Sequence, residues 1–163
     1  RLSIRTLGDF TGSIPALPAG RPVDVFGPFG SFTLHRLARC RRIVFVGAGI
    51  GITPFLGMLR FELTNDDFRR IWFFYVVRDA ASAPYDAEIA DAVLRADSYV
   101  DYIRWETATR GRLTARAVAE AVQLDDWAVM LCGTPDFVAE MRRGFRAIGV
   151  PAERIIAEDF RFR

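Results

Sequence analysis

The sequence predicts an α/β protein whose main body is a doubly wound parallel sheet. From Arg42 onward, short apolar runs alternate with segments of helical periodicity. Continuous apolar runs are typical of strands buried on both faces, and strands that alternate with helices form parallel sheets through right-handed crossovers. The 163 residues, of which 51% are hydrophobic and 26% charged, are sufficient for one such domain.

The predicted elements follow one another at short spacing. The strands are RIVFV, IWFFYVV, VDYIRWET, AVMLCGTP and RIIAEDFRF. The helices between them are PFLGMLRFEL, PYDAEIADAVLRA, LTARAVAEAVQL and DFVAEMRRGFRAIGV. Thr114 is expected to cap the third helix, and Gly149 to end the fourth.

The front of the chain has a different pattern. Alternation in LSIRT, followed by a loop rich in proline and glycine and by VDVFGP, predicts two strands of a β-barrel. We therefore expect residues 1–36 to be the C-terminal part of a barrel with its connecting loop, and residues 37–163 to be the α/β domain.

Composition excludes several functions. Twenty-two basic residues against 20 acidic ones give a net charge of +2, which is too balanced for a general nucleic-acid binder. Two cysteines and one histidine are too few for a zinc site, a four-cysteine iron–sulfur site or a bis-histidine haem site, so we expect no metal. No apolar run is long enough to span a bilayer.

A glycine-rich corner is the strongest local signal. Directly after RIVFV the chain reads Gly47-Ala48-Gly49-Ile50-Gly51-Ile52-Thr53-Pro54. Glycines permit positive φ and close approach of the backbone to a phosphate, and the N-terminus of the following helix attracts anions. Pro54 suits the first helical position, and the Thr53 hydroxyl could reach the phosphate or the nicotinamide. The corner predicts a dinucleotide site; a turn in which glycines serve packing alone is the alternative.

The spacing G-x-G-x-G-x-x-P resembles the NAD(P)H-binding domain of the ferredoxin–NADP reductase superfamily. Other motifs resemble that superfamily in the right order, namely Gly27-Pro28-Phe29-Gly30, Cys132-Gly133-Thr134-Pro135 and Glu158-Asp159-Phe160. The resemblance implies a ferredoxin reductase-like NADP-linked domain, preceded by the last strands of a flavin-binding β-barrel. It also implies that NADPH or NADH donates hydride to FAD.

Three stretches resemble the bacterial ferric reductase and NADPH oxidase branch: Leu7-Gly8-Asp9-Phe10-Thr11, WFFYVVRD and EDFRFR. That resemblance implies contact of Gly8 and Thr11 with FAD phosphates, and of Gly27 and Pro28 with the cofactor. It implies upstream FAD and transmembrane haem domains, ferric iron or dioxygen as acceptor, and a place at the cytoplasmic face of the membrane. The flavin-binding stretch R-x-Y-[ST] and the haem helices are missing. We therefore expect this segment to be soluble, not to hold FAD tightly by itself, and to be inactive alone.

The resemblance also assigns the adenosine end of the nucleotide. Arg78, after the second parallel strand, would lie at the ribose, where a guanidinium could clamp a 2′-phosphate and favour NADPH. Asp79 beside it is a further candidate contact, although it could simply neutralise Arg78. Arg110 and Arg112 are secondary candidates for phosphate contact, with an exposed charged turn as the simpler interpretation.

The resemblance also implies three side chains at the nicotinamide end of the nucleotide. The Cys132 thiol would lie close to nicotinamide C4, and Phe160 or Phe162 would stack on the flavin until the nicotinamide displaces it. From the residues alone, Cys132 is a buried apolar side chain and the phenylalanines belong to an edge strand. Hydride transfer to an oxidised flavin needs no general base, which suits a sequence with one histidine.

Two other functions stay open at this stage. One is the reductase domain of a soluble flavoprotein of the flavohaemoglobin or dioxygenase-reductase type. The other is a non-catalytic module for nucleotide sensing or docking.

Overall fold

A computed structural model describes residues 2–27, 29–65, 69–96, 98–123 and 126–159. The chain divides into two compact units, Arg1–Ser31 and Phe32–Arg163. The sequence predicts the boundary between residues 36 and 37, slightly later. The assignment of the first segment to a flavin barrel stays a prediction.

The first unit contains a short helix α1, Gly8–Ser13, and a 3₁₀ turn, Ile14–Ala16. The two barrel strands predicted in residues 2–27 are not formed, which corrects that part of the prediction. Alternating side chains express a local preference, but a strand also needs a neighbour for its backbone groups, and no described residue pairs with these. None of residues 2–27 is buried.

The second unit is built on a five-stranded sheet. Its strands are β1 (Arg42–Ala48), β2 (Arg70–Val77), β3 (Val100–Glu106), β4 (Ala128–Gly133) and β5 (Ile155–Asp159). Their spatial order is β3-β2-β1-β4-β5, and every neighbouring pair is parallel. The predicted parallel sheet is confirmed.

In the described ranges, the four helices that the periodicity predicts connect the strands, together with a short helix, Thr107–Arg110, in a segment predicted as a turn. They are α2 (Thr53–Asn65), α3 (Asp86–Leu94), α4 (Thr107–Arg110), α5 (Ala115–Val122) and α6 (Pro135–Ala147). Thr114 caps α5 by accepting the amide of Ala117 at 3.1 Å, which confirms its predicted role. Gly149, with φ +91°, follows the end of α6 as predicted.

The sheet is buried on both faces, and each face has its own apolar core. Phe45 and Phe73 project toward α2 and α3, where Phe45 stacks on Phe55 of α2 with ring centroids 4.8 Å apart. Val46 and Leu131 project to the other face, toward α5 and α6. Burial of each large side chain stabilises the folded state by roughly 1.5–3 kcal/mol. The sheet is therefore a rigid support for the loops at its edges.

One buried ion pair lies below this core, at the amino end of the sheet. Glu62 of α2 and Arg69 are almost fully buried, with Arg69 Nε 3.6 Å from Glu62 Oε2. Arg69 Nη1 also donates to the backbone oxygen of Leu34 at 3.5 Å. The pair therefore links the end of α2 to the segment that precedes β1.

We expect Arg69→Met to lower the free energy of unfolding by roughly 3–5 kcal/mol, because it leaves the buried Glu62 carboxylate without this counter-charge. Urea unfolding at neutral pH measures the effect. The double variant Glu62→Leu/Arg69→Met should recover much of the loss. A double variant no more stable than Arg69→Met alone would contradict this account of the pair.

Candidate functional site

The topological switch point of the sheet lies between β1 and β4. The chain runs from β1 toward β2 on one side, whereas β4 and β5 lie on the other side. Connections leave the two central strands in opposite directions, and ligands of open α/β sheets bind at such a point. Gly47 pairs in register with Cys132, so the glycine-rich corner and the Cys132–Pro135 corner are adjacent.

The three glycines of the first corner have different roles. A Cβ on Gly51 would lie 2.3 Å from the carbonyl oxygen of Cys132, and one on Gly47 would lie 2.8 Å from Ile52 Cα. These two glycines are required by packing. Gly49 has φ +55° and open space around its Cβ direction, so it is required by its backbone conformation and leaves that side accessible.

A helical run starts at this accessible glycine. A 3₁₀ turn, Gly49–Ile52, leads directly into α2 at Thr53. The first N–H groups of such a run have no intrahelical acceptor, and they carry the positive end of the helix dipole. The Thr53 hydroxyl donates to the Ile50 oxygen at 3.0 Å, so its proton is engaged within the turn. Pro54 is the second residue of α2, one position later than predicted, because the helix already begins at Thr53.

The second corner is equally tight. A Cβ on Gly133 would lie 2.9 Å from the Phe137 ring and 3.1 Å from Ala48 Cβ. Thr134 caps α6 by accepting the amide of Phe137 at 3.4 Å, and Pro135 is the first residue of that helix. The backbone at this corner is therefore fixed against the end of β1.

Cys132 lies between the two corners and is fully buried. Burial, followed by the negative charge of Glu158, raises the pKa of its thiol to about 12. The thiol is accordingly neutral at physiological pH. It cannot act as a thiolate nucleophile.

The carboxyl end of β2 carries Arg78 and Asp79. The Asp79 carboxylate accepts the Ser82 amide at 2.9 Å and the Ser82 hydroxyl at 2.7 Å. These bonds lower the pKa of Asp79, which caps a 3₁₀ turn, Ala80–Ser82. Arg78 is 84% exposed, and its Nε lies 3.9 Å from the Asp79 carboxylate. Its guanidinium thus extends into solvent.

The turn after β3 contains a feature that sequence reasoning missed. The guanidinium carbon of Arg110 lies 4.7 Å from the centroid of the Trp105 ring. Trp105 Nε1 donates to the Gly111 oxygen at 2.9 Å. Arg112 Nη1, by contrast, is 3.2 Å from the Glu140 carboxylate. Trp105, near the end of a predicted strand, was the sequence feature that could have indicated this contact. The sequence could not identify Arg110 as its partner, because that depends on the conformation of the turn.

A polar network supports the same edge from the other face. The Asp86 carboxylate, at the start of α3, accepts the Tyr102 hydroxyl and lies 2.6 Å from Arg104 Nη1. Arg104 Nε also donates to Glu106 at 2.9 Å. Burial raises the pKa of Tyr102, and its bond to Asp86 raises that pKa further. These bonds fix α3 to β3, and they engage the carboxylates of both Asp86 and Glu106.

The other predicted site residues lie elsewhere in the chain. Gly8, Thr11 and Gly27 belong to the first unit, where Thr11 closes a turn: its Oγ1 accepts the Leu7 amide and donates to the Leu7 oxygen, each at 2.6 Å. Pro28, Phe160 and Phe162 lie outside the described residues, so their predicted roles stay predictions.

Within the five described ranges, no three His, Cys, Asp or Glu side chains converge in a way that could hold a metal ion. No helix in that part of the chain is long and apolar enough to cross a membrane.

The chain belongs to the oxidoreductase NAD-binding domain family, which it matches over residues 45–143. The resemblance to the ferredoxin–NADP reductase superfamily is thereby confirmed. Both corners, residues 47–54 and 132–135, lie within this matched region.

Its relatives include flavohaemoproteins and a ferredoxin reductase component. The flavohaemoprotein of Bordetella pertussis is 29% identical over 152 residues, 86% of this chain and 38% of that protein. The ferredoxin reductase component of 3-ketosteroid-9-alpha-monooxygenase from Rhodococcus rhodochrous is 26% identical over 145 residues, 88% of this chain and 40% of that protein. Flavohaemoglobin from Malassezia yamatoensis, solved with bound FAD and haem, has the same fold: 22% identity, a TM-score of 0.77, and coverage of 98% of this chain and 43% of that one.

These comparisons favour one of the alternatives left open by the sequence. Flavohaemoproteins and reductase components of oxygenases fit the chain better than the ferric reductase and NADPH oxidase branch does. The membrane location predicted from that branch is not supported by them. The chain spans only about two fifths of the length of each relative (38%, 40% and 43%).

We expect Gly51→Ala to lower the free energy of unfolding by about 1–3 kcal/mol, because the new methyl group must displace the backbone of β4. Gly49→Asn is the matched control at the same corner, since asparagine tolerates the left-handed conformation and meets nothing there. Chemical unfolding of both variants measures the difference. A Gly51→Ala protein as stable as Gly49→Asn would contradict the packing role.

Cys132 should resist alkylation in the folded protein, because its thiol is buried and its raised pKa keeps the thiolate scarce below about pH 12. Cys40, which is half-buried, is the internal reference. Mass spectrometry after a timed iodoacetamide reaction at pH 8 should find Cys40 modified first, and both cysteines modified after unfolding. Equal rates for the two cysteines in the native protein would rule out this environment for Cys132.

Proposed function

We propose that this chain is the NAD(P)H-binding, hydride-donating part of a flavoprotein reductase of the flavohaemoprotein or oxygenase-reductase type. It passes electrons to an FAD held mainly by another domain of the same parent protein. The observation that carries the proposal is the accessible Gly49 at the start of a helical run, beside the switch point between β1 and β4.

The glycine-rich corner binds the pyrophosphate. Amide groups in the turn Gly49–Ile52 supply hydrogen-bond donors, and the dipole of the helical run that they begin supplies a favourable potential. A residue with a side chain at position 49 would occupy the space through which the phosphate approaches. The neutral backbone thus binds a dianion without a lysine or arginine at the corner.

The second corner receives the nicotinamide. The fully buried Cys132 and the side-chain-free Gly133 form a compact, uncharged wall next to the first corner. When bound, the reduced nicotinamide supplies the hydride. The chain positions the nicotinamide ring, and such positioning is the main requirement for a hydride transfer that needs no acid or base. Thr134 and Pro135 hold this wall by starting α6.

Contacts with FAD are assigned to residues elsewhere in the chain. Gly8, Thr11, Gly27 and Pro28 contribute to the flavin side, and Phe160 or Phe162 covers the flavin when the nicotinamide is absent. Haem belongs to the parent only if that parent is a flavohaemoprotein, as the Bordetella relative is named. Without a flavin domain, the 163-residue chain binds nucleotide but does not turn over.

Gly49→Asp should abolish binding of both NADPH and NADH, because a carboxylate would stand where the pyrophosphate binds. Gly49→Asn has nearly the same shape and tolerates the same backbone conformation, so it is the control for charge. We expect the loss for Gly49→Asp to exceed that for Gly49→Asn by roughly tenfold or more, which corresponds to about 1.4 kcal/mol. Isothermal titration with each nucleotide measures this.

Two results would contradict the proposed function. One is a folded wild-type chain that binds neither nucleotide. The other is tight binding that Gly49→Asp leaves unchanged, since the pyrophosphate would then lie elsewhere. A purely docking module would additionally leave reductase activity of the parent intact when Gly49 is changed to Asp.

A further inference from the structure

A groove lies between α2 and α3, the two helices that cover one face of the sheet. Its volume is about 330 Å³. Leu56 and Leu63 of α2 and Ala92 of α3 form an apolar floor. Leu56 and Ala92 belong to the core on this side of the sheet, and Leu63 packs against that core. No residue of this groove takes part in the proposed function.

The groove has the size of a small-molecule site. Leu56 and Leu63 are seven residues apart, which corresponds to about 10 Å along a helix. A single turn of a docked helix, about 10 Å across, would occupy roughly 400 Å³, which is more than the whole groove. Small-molecule pockets, by contrast, start at about 300 Å³. The dimensions therefore favour a small ligand with an apolar body over a segment of another protein.

Charged side chains surround the apolar floor, and they are held with different strength. The Arg60 guanidinium forms an ion pair with Glu88 and so links α2 to α3 across the groove. Arg95, directly after α3, pairs with Asp91 of that same helix. The Arg95 and Asp91 side chains are 68% and 66% exposed, and exposed pairs at this spacing are among the weakest ion pairs in proteins. Arg95 can therefore exchange Asp91 for the anionic group of a ligand at small cost.

The signs of these charges select the ligand. Among the described side chains that line the groove, Arg60 and Arg95 are cationic and Glu88 is anionic. Arg60 and Glu88 neutralise each other, so Arg95 supplies the surplus positive charge. A cationic ligand would be repelled by Arg95, and a second negative charge on a ligand would be repelled by Glu88. One negative charge is the best match.

We propose that this groove binds a small monocarboxylate with an unbranched apolar chain. The carboxylate pairs with the Arg95 guanidinium, which presents donors in the geometry that a carboxylate accepts, and the chain covers the apolar floor. The inference is independent of the proposed function, because the groove and the glycine-rich corner share no residue.

The test compares three ligands that separate the contributions of charge and chain. The 163-residue chain is titrated calorimetrically with octanoate, with octan-1-ol and with butanoate. Octanoate should bind with a stoichiometry of one and several-fold more tightly than octan-1-ol, which lacks the charge. It should bind at least tenfold more tightly than butanoate, because each buried methylene group improves affinity by up to about fourfold.

Variants of exposed residues test the ion pair without disturbing the core. Arg95→Gln should weaken octanoate roughly 3- to 10-fold and leave octan-1-ol unchanged, because only the carboxylate loses a partner. Arg112→Gln is the matched control, since it removes the same charge from an exposed arginine that also pairs with a carboxylate, that of Glu140. Asp91→Asn should strengthen octanoate about twofold, because it releases Arg95 from its present partner.

A further variant separates this groove from the glycine-rich corner, where an anion could also bind. Gly49→Asp places a negative charge at that corner and should leave the affinity for octanoate unchanged. Loss of octanoate binding in Gly49→Asp would overturn the inference, because the carboxylate would then lie at the corner.

The inference would also be overturned by wild-type protein that binds no octanoate, or binds it no more tightly than octan-1-ol or butanoate. An equal effect of Arg95→Gln and Arg112→Gln would do the same. These outcomes leave the proposed function untouched, since the titrations with NADPH and NADH test it separately. Selective loss of octanoate in Arg95→Gln, with Gly49→Asp unaffected, supports the assignment.

Discussion

The contact between Gly51 and the end of β4 is the constraint on which the site depends. A hydrogen atom is the only side chain that fits there, because a Cβ would lie 2.3 Å from the Cys132 oxygen. The close approach brings the start of the helical run after β1 against the backbone that leads into α6. Two loops that are distant in the sequence therefore form one wall, and Gly49 remains open at its entrance.

Charge is distributed around this wall in a way that suits a dinucleotide. The centre is uncharged, since the Cys132 thiol is buried and protonated and the glycines carry no side chain. Cationic groups lie farther out, with Arg78 exposed at the end of β2 and Arg110 stacked on Trp105. A ligand with an apolar ring at one end and a phosphate-bearing sugar at the other matches that order. The rigid sheet, buried on both faces, keeps the two ends at a fixed distance.

Much of the fold could be predicted from the sequence, because apolar runs and helical periodicity are local properties. Thr114 caps α5 and Gly149 follows the end of α6, as predicted. The prediction of two strands near the start of the chain was wrong. Alternation in LSIRT indicates a preference for extended backbone, but it does not supply the neighbouring strand that the backbone N–H and C=O groups need. The glycine motif indicated the corner but could not assign each glycine, since the role of Gly51 depends on the strand order that places β4 beside β1. Likewise, Arg110 seemed an ordinary exposed arginine until the turn placed it over Trp105.

The most direct test of the central claim is an amide NMR titration of the ¹⁵N-labelled chain with NADPH. The account predicts that the largest shifts occur at the amides of the turn Gly49–Ile52 and at Gly133, where the two corners meet. Shifts confined to other parts of the chain, with both corners unaffected at saturating nucleotide, would contradict it.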